Sequence, residues 1–116
     1  MKLINYKDQP GKDYPSDLAK NAFGRVVIGQ ADGDTSFCMR VFEVSKGGYS
    51  AKHSHNYEHQ VFVHAGQGEA WDGEQWHDVG PGSVIYIPAN REHQMRNNND
   101  EMLIFVCCIP KGAPEL

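Results

Sequence analysis

Apolar residues recur along this chain with a period of two rather than 3.6. His59, Val61 and Val63 alternate with Gln60, Phe62 and His64, and His93, Met95 and Asn97 alternate with Glu92, Gln94 and Arg96. A period of two is that of a strand with one face buried. No apolar i, i+3, i+4 stretch long enough for a substantial helix occurs beyond the first two dozen residues. The pattern predicts strands over 25–28, 36–44, 51–55, 59–65, 68–72, 74–79, 83–87, 93–97 and 102–109, separated by Asp32-Gly33, Gly47-Gly48, Gly66-Gln-Gly68, Asp72-Gly73 and Gly80-Pro-Gly82. Asp72-Gly73 suits the centre of a two-residue hairpin turn flanked by Trp71 and Trp76, aromatics suited to packing or a dimer contact. So many short antiparallel strands are best closed as a barrel or two-sheet jelly roll, which protects their edges. Residues 1–22, with Pro10, Gly11, Pro15 and many charges, are read as an N-terminal arm with one helical turn that packs on a partner subunit, and residues 23–116 as one all-β domain.

Length and charge narrow the function classes. A chain of 116 residues supports one core. Lys plus Arg total 11 against 15 for Asp plus Glu, with no basic run, so nucleic acid is not an expected partner. The longest apolar run, Leu103 to Pro110, is less than half a membrane span, and Met1-Lys-Leu-Ile-Asn-Tyr-Lys-Asp8 has no apolar signal core, which predicts a cytoplasmic protein with no membrane partner. Cys38, Cys107 and Cys108 are an odd number, two of them adjacent, and match no zinc-ribbon spacing; they read as reduced, buried thiols.

The chemistry concentrates in four of the six histidines. His53 and His55, two apart on one predicted strand, face the same way and can share one ion. The parity of the next strand places His59 inward with Val61 and Val63, leaving Glu58 and His64 outside; Glu58 is the competing third ligand. His93 shares its face with Met95. His64 and His77 read as structural or surface residues. Four neutral imidazoles leave a divalent charge uncompensated, and a six-coordinate ion retains two open positions for water, dioxygen or a bidentate substrate. Tetrahedral zinc would instead close the shell and give a structural site. Because imidazole must be deprotonated to bind, metal loss is expected as pH falls below about 6.

These residues fall in two spaced motifs. Gly47, His53, His55, His59 and Gly66 form the first, and Gly82, Pro88, Asn90, His93 and Asn97 the second. Both resemble the signature motifs of the cupin superfamily, with histidine at position 59 where the family usually places glutamate, and Asn90 in place of a glycine, a replacement that tolerates the same left-handed conformation. The resemblance spans roughly residues 36 to 110 and is to small single-domain cupins with all-histidine sites, whose best-known members hold manganese. It implies a double-stranded β-helix, a homodimer and a metal centre of His53, His55, His59 and His93. Imidazole softness alone favours zinc, copper, iron or nickel; with the resemblance, Mn2+ ranks first, followed by Fe2+, then Zn2+ or Ni2+. Tyr57, at the rim, and Cys107, preferred over Cys108 from the resemblance, are the candidate catalytic residues.

The leading functional expectation is an oxidoreductase, dioxygenase-like, acting on a small organic substrate with dioxygen as a candidate second substrate. The alternatives are a non-catalytic binding or sensor cupin, a metal-dependent isomerase or lyase, and a purely structural metal. No Asp or Glu falls on the inward face of the ligand strands, which counts against a reaction that needs a placed base, unless Glu43, Tyr57 or Tyr86 supplies one.

Overall fold

A computed structural model describes residues 1–116. Nine strands form: β1 (Lys12–Asp13), β2 (Lys20–Ile28), β3 (Phe37–Tyr49), β4 (His59–Ala65), β5 (Gly68–Trp71), β6 (Trp76–Val79), β7 (Val84–Ile87), β8 (Gln94–Arg96) and β9 (Leu103–Pro110), with 3-10 turns at Tyr6–Asp8 and Gln30–Asp32. They pair antiparallel in the order β6-β5-β8-β3-β9-β4-β7, with β2 added to β3 and β1 to β2. One sheet thus curls on itself as a cupin-type jelly roll. No helix is long and apolar enough to cross a membrane.

The curl depends on β3. From Met39 to Val44 it lies between β2 and β9, and at Tyr49 β8 takes the place of β9 while β2 stays on the other side. The change of partner passes through Gly47, at φ +77, a conformation that carries little cost only for glycine. Alternation then builds the interior. In β9 the inward set is Leu103, Phe105, Cys107 and Ile109, all buried, and in β4 it is His59, Val61 and Val63. Val41 points the other way yet is also buried, because the segment from Lys2 to Tyr6 lies against that outer face with Val27 and Met39.

The structure moves several expected boundaries. β2 begins at Lys20 rather than 25 and crosses residue 22, and β1, within the stretch read as an arm, pairs with it at Gly24 and Phe23. The inward residues there are Ala22 and Gly24, too small to register as an apolar pattern; a side chain on Gly24 would meet Phe42 and Leu116 at under 3 Å. The segment 51–55 is not a strand: its only ladder contact is the single bridge from His53 to His93, because its carbonyl at His55 is taken by the Asn90 amide (2.7 Å). The hairpin after Trp71 turns one residue later than expected. Asp72 and Gln75 close it, Gly73 at φ +97 and Glu74 are its centre, and the Asp72 carboxylate accepts from the amides of Glu74 and Gln75 (both 2.8 Å). Trp71 and Trp76 do flank it as a cross-strand pair, 5.4 Å between rings.

Two motif residues have structural tasks. A side chain on Gly66, at φ +80, would lie 2.2 Å from the Met102 carbonyl oxygen. Asn97 is fully buried; its Nδ2 donates to the carbonyls of Val44 (2.8 Å) and Glu101 (2.7 Å), and its Oδ1 accepts from the Asn99 amide (2.8 Å). It ties β3 to the loop between β8 and β9. Replacing it with alanine leaves buried carbonyls unpaired, so Asn97→Ala is expected to lower unfolding free energy by about 2–4 kcal/mol in urea denaturation. A loss below about 0.5 kcal/mol would show that these bonds are readily replaced by water.

Candidate metal centre

Four imidazoles meet at the floor of the barrel. One ring nitrogen from each of His53, His55, His59 and His93 lies within 4.8 Å of the others. Ligands to a common ion with bonds of about 2.0–2.2 Å lie roughly 3–4.5 Å apart, so the spacing fits. The rings stand edge to face, with neighbouring centroids 4.6 to 4.9 Å apart. His59 enters from the start of β4, His93 from just before β8, and His53 and His55 from the irregular segment between β3 and β4. The expected strand that would have aligned His53 with His55 is absent, and the backbone bonds of that segment to residues 90–95 bring them together instead.

Backbone carbonyls set the direction of two rings. His55 donates from Nδ1 to the Tyr57 carbonyl (2.8 Å), and His93 from Nδ1 to the Arg91 carbonyl (2.9 Å). Each therefore presents the Nε2 lone pair to the cluster, a device common among metal-binding histidines. The His93 Nε2 is buried with no hydrogen-bond partner, and the Nε2 atoms of His55 and His59 stand 2.8 Å apart. An orphaned buried nitrogen facing three others fits a divalent ion.

His59 has a different surrounding. Its Nδ1 lies 3.1 Å from Cys107 Sγ and 3.3 Å from Arg40 Nη2, and Arg40 Nη2 also donates to Cys107 Sγ (3.1 Å). If an ion takes Nε2, Nδ1 carries the proton; the guanidinium has only donors, so the sulfur is the acceptor available to it. Burial keeps all four rings neutral. It lowers His53 to about 4 and His59 to about 2, and pushes His55 and His93 below the usual imidazole value; the Arg40 charge adds to this for His53, His55 and His59. Burial also raises the Cys107 thiol.

The structure sorts the remaining candidates. Glu58 stays outside the cluster and accepts from Gln60 Nε2 (3.3 Å), as parity predicted. His64 is exposed, edge-on to Tyr6, and His77 pairs with Asp72 (2.7 Å). Tyr57 stacks on His55, 3.8 Å between centroids and 10° from parallel, and lines the cavity. Of the three base candidates it alone does so: Glu43 pairs with Arg25 (2.9 Å) and Tyr86 is exposed. No disulfide forms, and Cys107 is buried beside the cluster while Cys108 faces away. Sequence reasoning missed Arg40, which shares the inward parity of Cys38, Phe42 and Val44 and could have been found by it.

The cupin domain pattern matches residues 40–109, which hold both histidine motifs and most of the barrel. The chain belongs to the cupin family. Over 98% of its length this cupin is 37% identical to the 1-methylthio-D-xylulose 5-phosphate methylsulfurylase of Rhodospirillum rubrum, of which it covers 70%. Its fold superimposes on the polyketide cyclase RemF of Streptomyces resistomycificus at 28% identity and a TM-score of 0.89, covering 95% of this chain and 79% of that one. A predicted oxalate decarboxylase of Thermotoga maritima, at 13% identity, matches in fold (TM-score 0.84, 94% and 98% covered).

The depressed imidazole values move the pH of metal release. Free imidazole, near 6.5, would compete with a metal below about pH 6, but here His53 resists protonation until about 4. Metal content is therefore expected to hold through pH 6. Since unfolded histidines take up protons that the folded site refuses, the metal-free protein should be fully stable above about 6.5 and lose stability as pH falls toward 4. Equilibrium dialysis against a weak chelator, with thermal melts of the metal-free protein, checks both; release already complete at pH 6 would contradict the burial argument.

Proposed function

We propose that this cupin is a metal-dependent enzyme of small oxygen-bearing organic molecules, moving a proton on a substrate that carries an acidic C–H next to a carbonyl. The observation that carries this reading is the set of four nitrogens within 4.8 Å in a largely apolar cavity, with Cys107 Sγ 3.1 Å from the His59 ring. His53, His55, His59 and His93 would hold the ion, Mn2+ ranking first, then Fe2+, Zn2+ or Ni2+. Such an ion, held by neutral ligands, would supply positive charge to a developing oxyanion on the substrate. Phe42, Val44, Val61 and Phe105 exclude water around the reacting carbon. Cys107 Sγ, in the thiolate form that the adjacent Arg40 guanidinium favours, would take the C–H proton and return it to the neighbouring carbon, and Tyr57 would contact the substrate from the cavity wall. The names of two similar proteins, a methylsulfurylase and a cyclase, describe no oxidation, which supports this order.

The second reading is the oxidoreductase, dioxygenase-like, with dioxygen as co-substrate. It is favoured by the scarcity of bases: an ion held by the four histidines would supply oxygen chemistry that needs no carboxylate base.

The two readings separate under anaerobic conditions. Protein purified without chelator and assayed for metal is incubated in D2O with hydroxyketones and 1,3-diketones. Metal-dependent loss of the proton NMR signal next to the carbonyl, without oxygen, is expected, and Cys107→Ser should lower kcat about 100-fold with a smaller effect on KM. Oxygen uptake matching product, with no anaerobic exchange, would move the assignment to the oxidoreductase; saturable binding with neither activity would make the protein a sensor.

A homodimer is also proposed. Phe62 and Val84 pair across β4 and β7 and are 48% and 78% exposed on the outer face, beside exposed Tyr86. Sedimentation is expected to give twice the chain mass, and Phe62→Glu to shift it toward monomer; a wild-type monomer at micromolar concentration would refute the dimer.

A further inference from the structure

Arg40 is an anomaly for a strand interior. It is 4% exposed, yet it forms no ion pair, and no Asp or Glu side chain lines the cavity it faces. Its Nε has no partner, its Nη1 meets only the Glu115 carbonyl at 3.4 Å, and its Nη2 meets the neutral Cys107 sulfur and His59 Nδ1. Phe42 lies under the guanidinium at 5.0 Å. Burying an unpaired cation is costly, and such a group is ordinarily balanced by an opposite charge. A divalent ion at the histidines would add to the positive charge on the same enclosed volume.

We propose that Arg40 is the specificity-determining residue for an anionic substrate, its guanidinium taking a carboxylate while an adjacent oxygen of the same molecule faces the four histidines. The substrate class is thus a 2-hydroxy- or 2-oxo-carboxylate or a close relative, a deepening that rests on the metal-enzyme reading above for the second contact alone. The planar guanidinium matches a planar carboxylate and can offer it two parallel N–H donors. The carboxylate would supply the counter-charge that the protein withholds, and neutral analogues of the same shape would leave the cation unpaired.

The test compares glycolate with glycolamide. In zinc-loaded wild-type protein, calorimetry is expected to give a preference for glycolate of about 10- to 100-fold, lost in Arg40→Gln and partly kept in Arg40→Lys, with zinc content unchanged. The Arg40 Nε–H cross-peak in a 15N-correlated NMR spectrum, identified by its absence from the variants, should shift with glycolate and not with glycolamide, in both zinc-loaded and chelator-treated protein. An unmoved cross-peak, or a wild-type preference surviving in Arg40→Gln, overturns the proposal. So does loss of zinc in both variants, which would make Arg40 a positioning residue for His59. If glycolate binds equally with and without zinc while the cross-peak still moves, the anion site stands and the metal reading fails. Should Arg40→Gln not fold, Arg40→Lys and the wild-type cross-peak decide.

Discussion

Everything in the cavity follows from keeping several imidazoles uncharged while withdrawing them from water. A protonated ring there would face its neighbours and the Arg40 guanidinium at a few ångströms with little solvent to screen it, so the barrel selects the ligand form of histidine before any ion arrives. The carbonyls of Tyr57 and Arg91 complete the selection by fixing which nitrogen of His55 and of His93 is available.

The fold serves that selection through a few fixed points. β3 changes partner from β9 to β8 and so joins the wall carrying Arg40 to the end of the sheet that carries His93. Asn97 fastens the same corner from inside, and Gly66 allows the chain after β4 to pass against Met102. The interior is therefore positive and nearly free of acids, and the carboxylates sit on the outside in pairs such as Glu43 with Arg25 and Glu69 with Arg96.

Where alternation is clean, the sequence was legible. The parity of β4 decided between His59 and Glu58, the parity of β9 put Cys107 and Cys108 on opposite faces while the family resemblance chose Cys107, and Asn90 does adopt the left-handed conformation, at φ +67, that its place in the second motif required. The family was suggested by the resemblance of both histidine motifs to those of cupins, and the domain match over 40–109 bears it out. Legibility failed where burial falls on residues without an apolar signature. Ala22 and Gly24 hid the first turns of β2, and Arg40 was passed over because a charged side chain on an inward position breaks the rule by which inward positions are recognised. Segment 51–55 reads as a strand by composition, yet its backbone hydrogen bonds are a lone bridge to His93 and one to the turn at Asn90. Local pattern cannot anticipate such partners.

The stacking of Tyr57 on His55 has a consequence for how this centre can change over time. The tyrosine constrains that imidazole twice, by its main-chain oxygen and by its aromatic face, and only the second depends on which side chain is present. A different side chain at position 57 would therefore reshape the cavity wall and free the tilt of the His55 ring while the tautomer stays as it was. Cavity shape and the choice of available nitrogen are in this way set by separable parts of one residue.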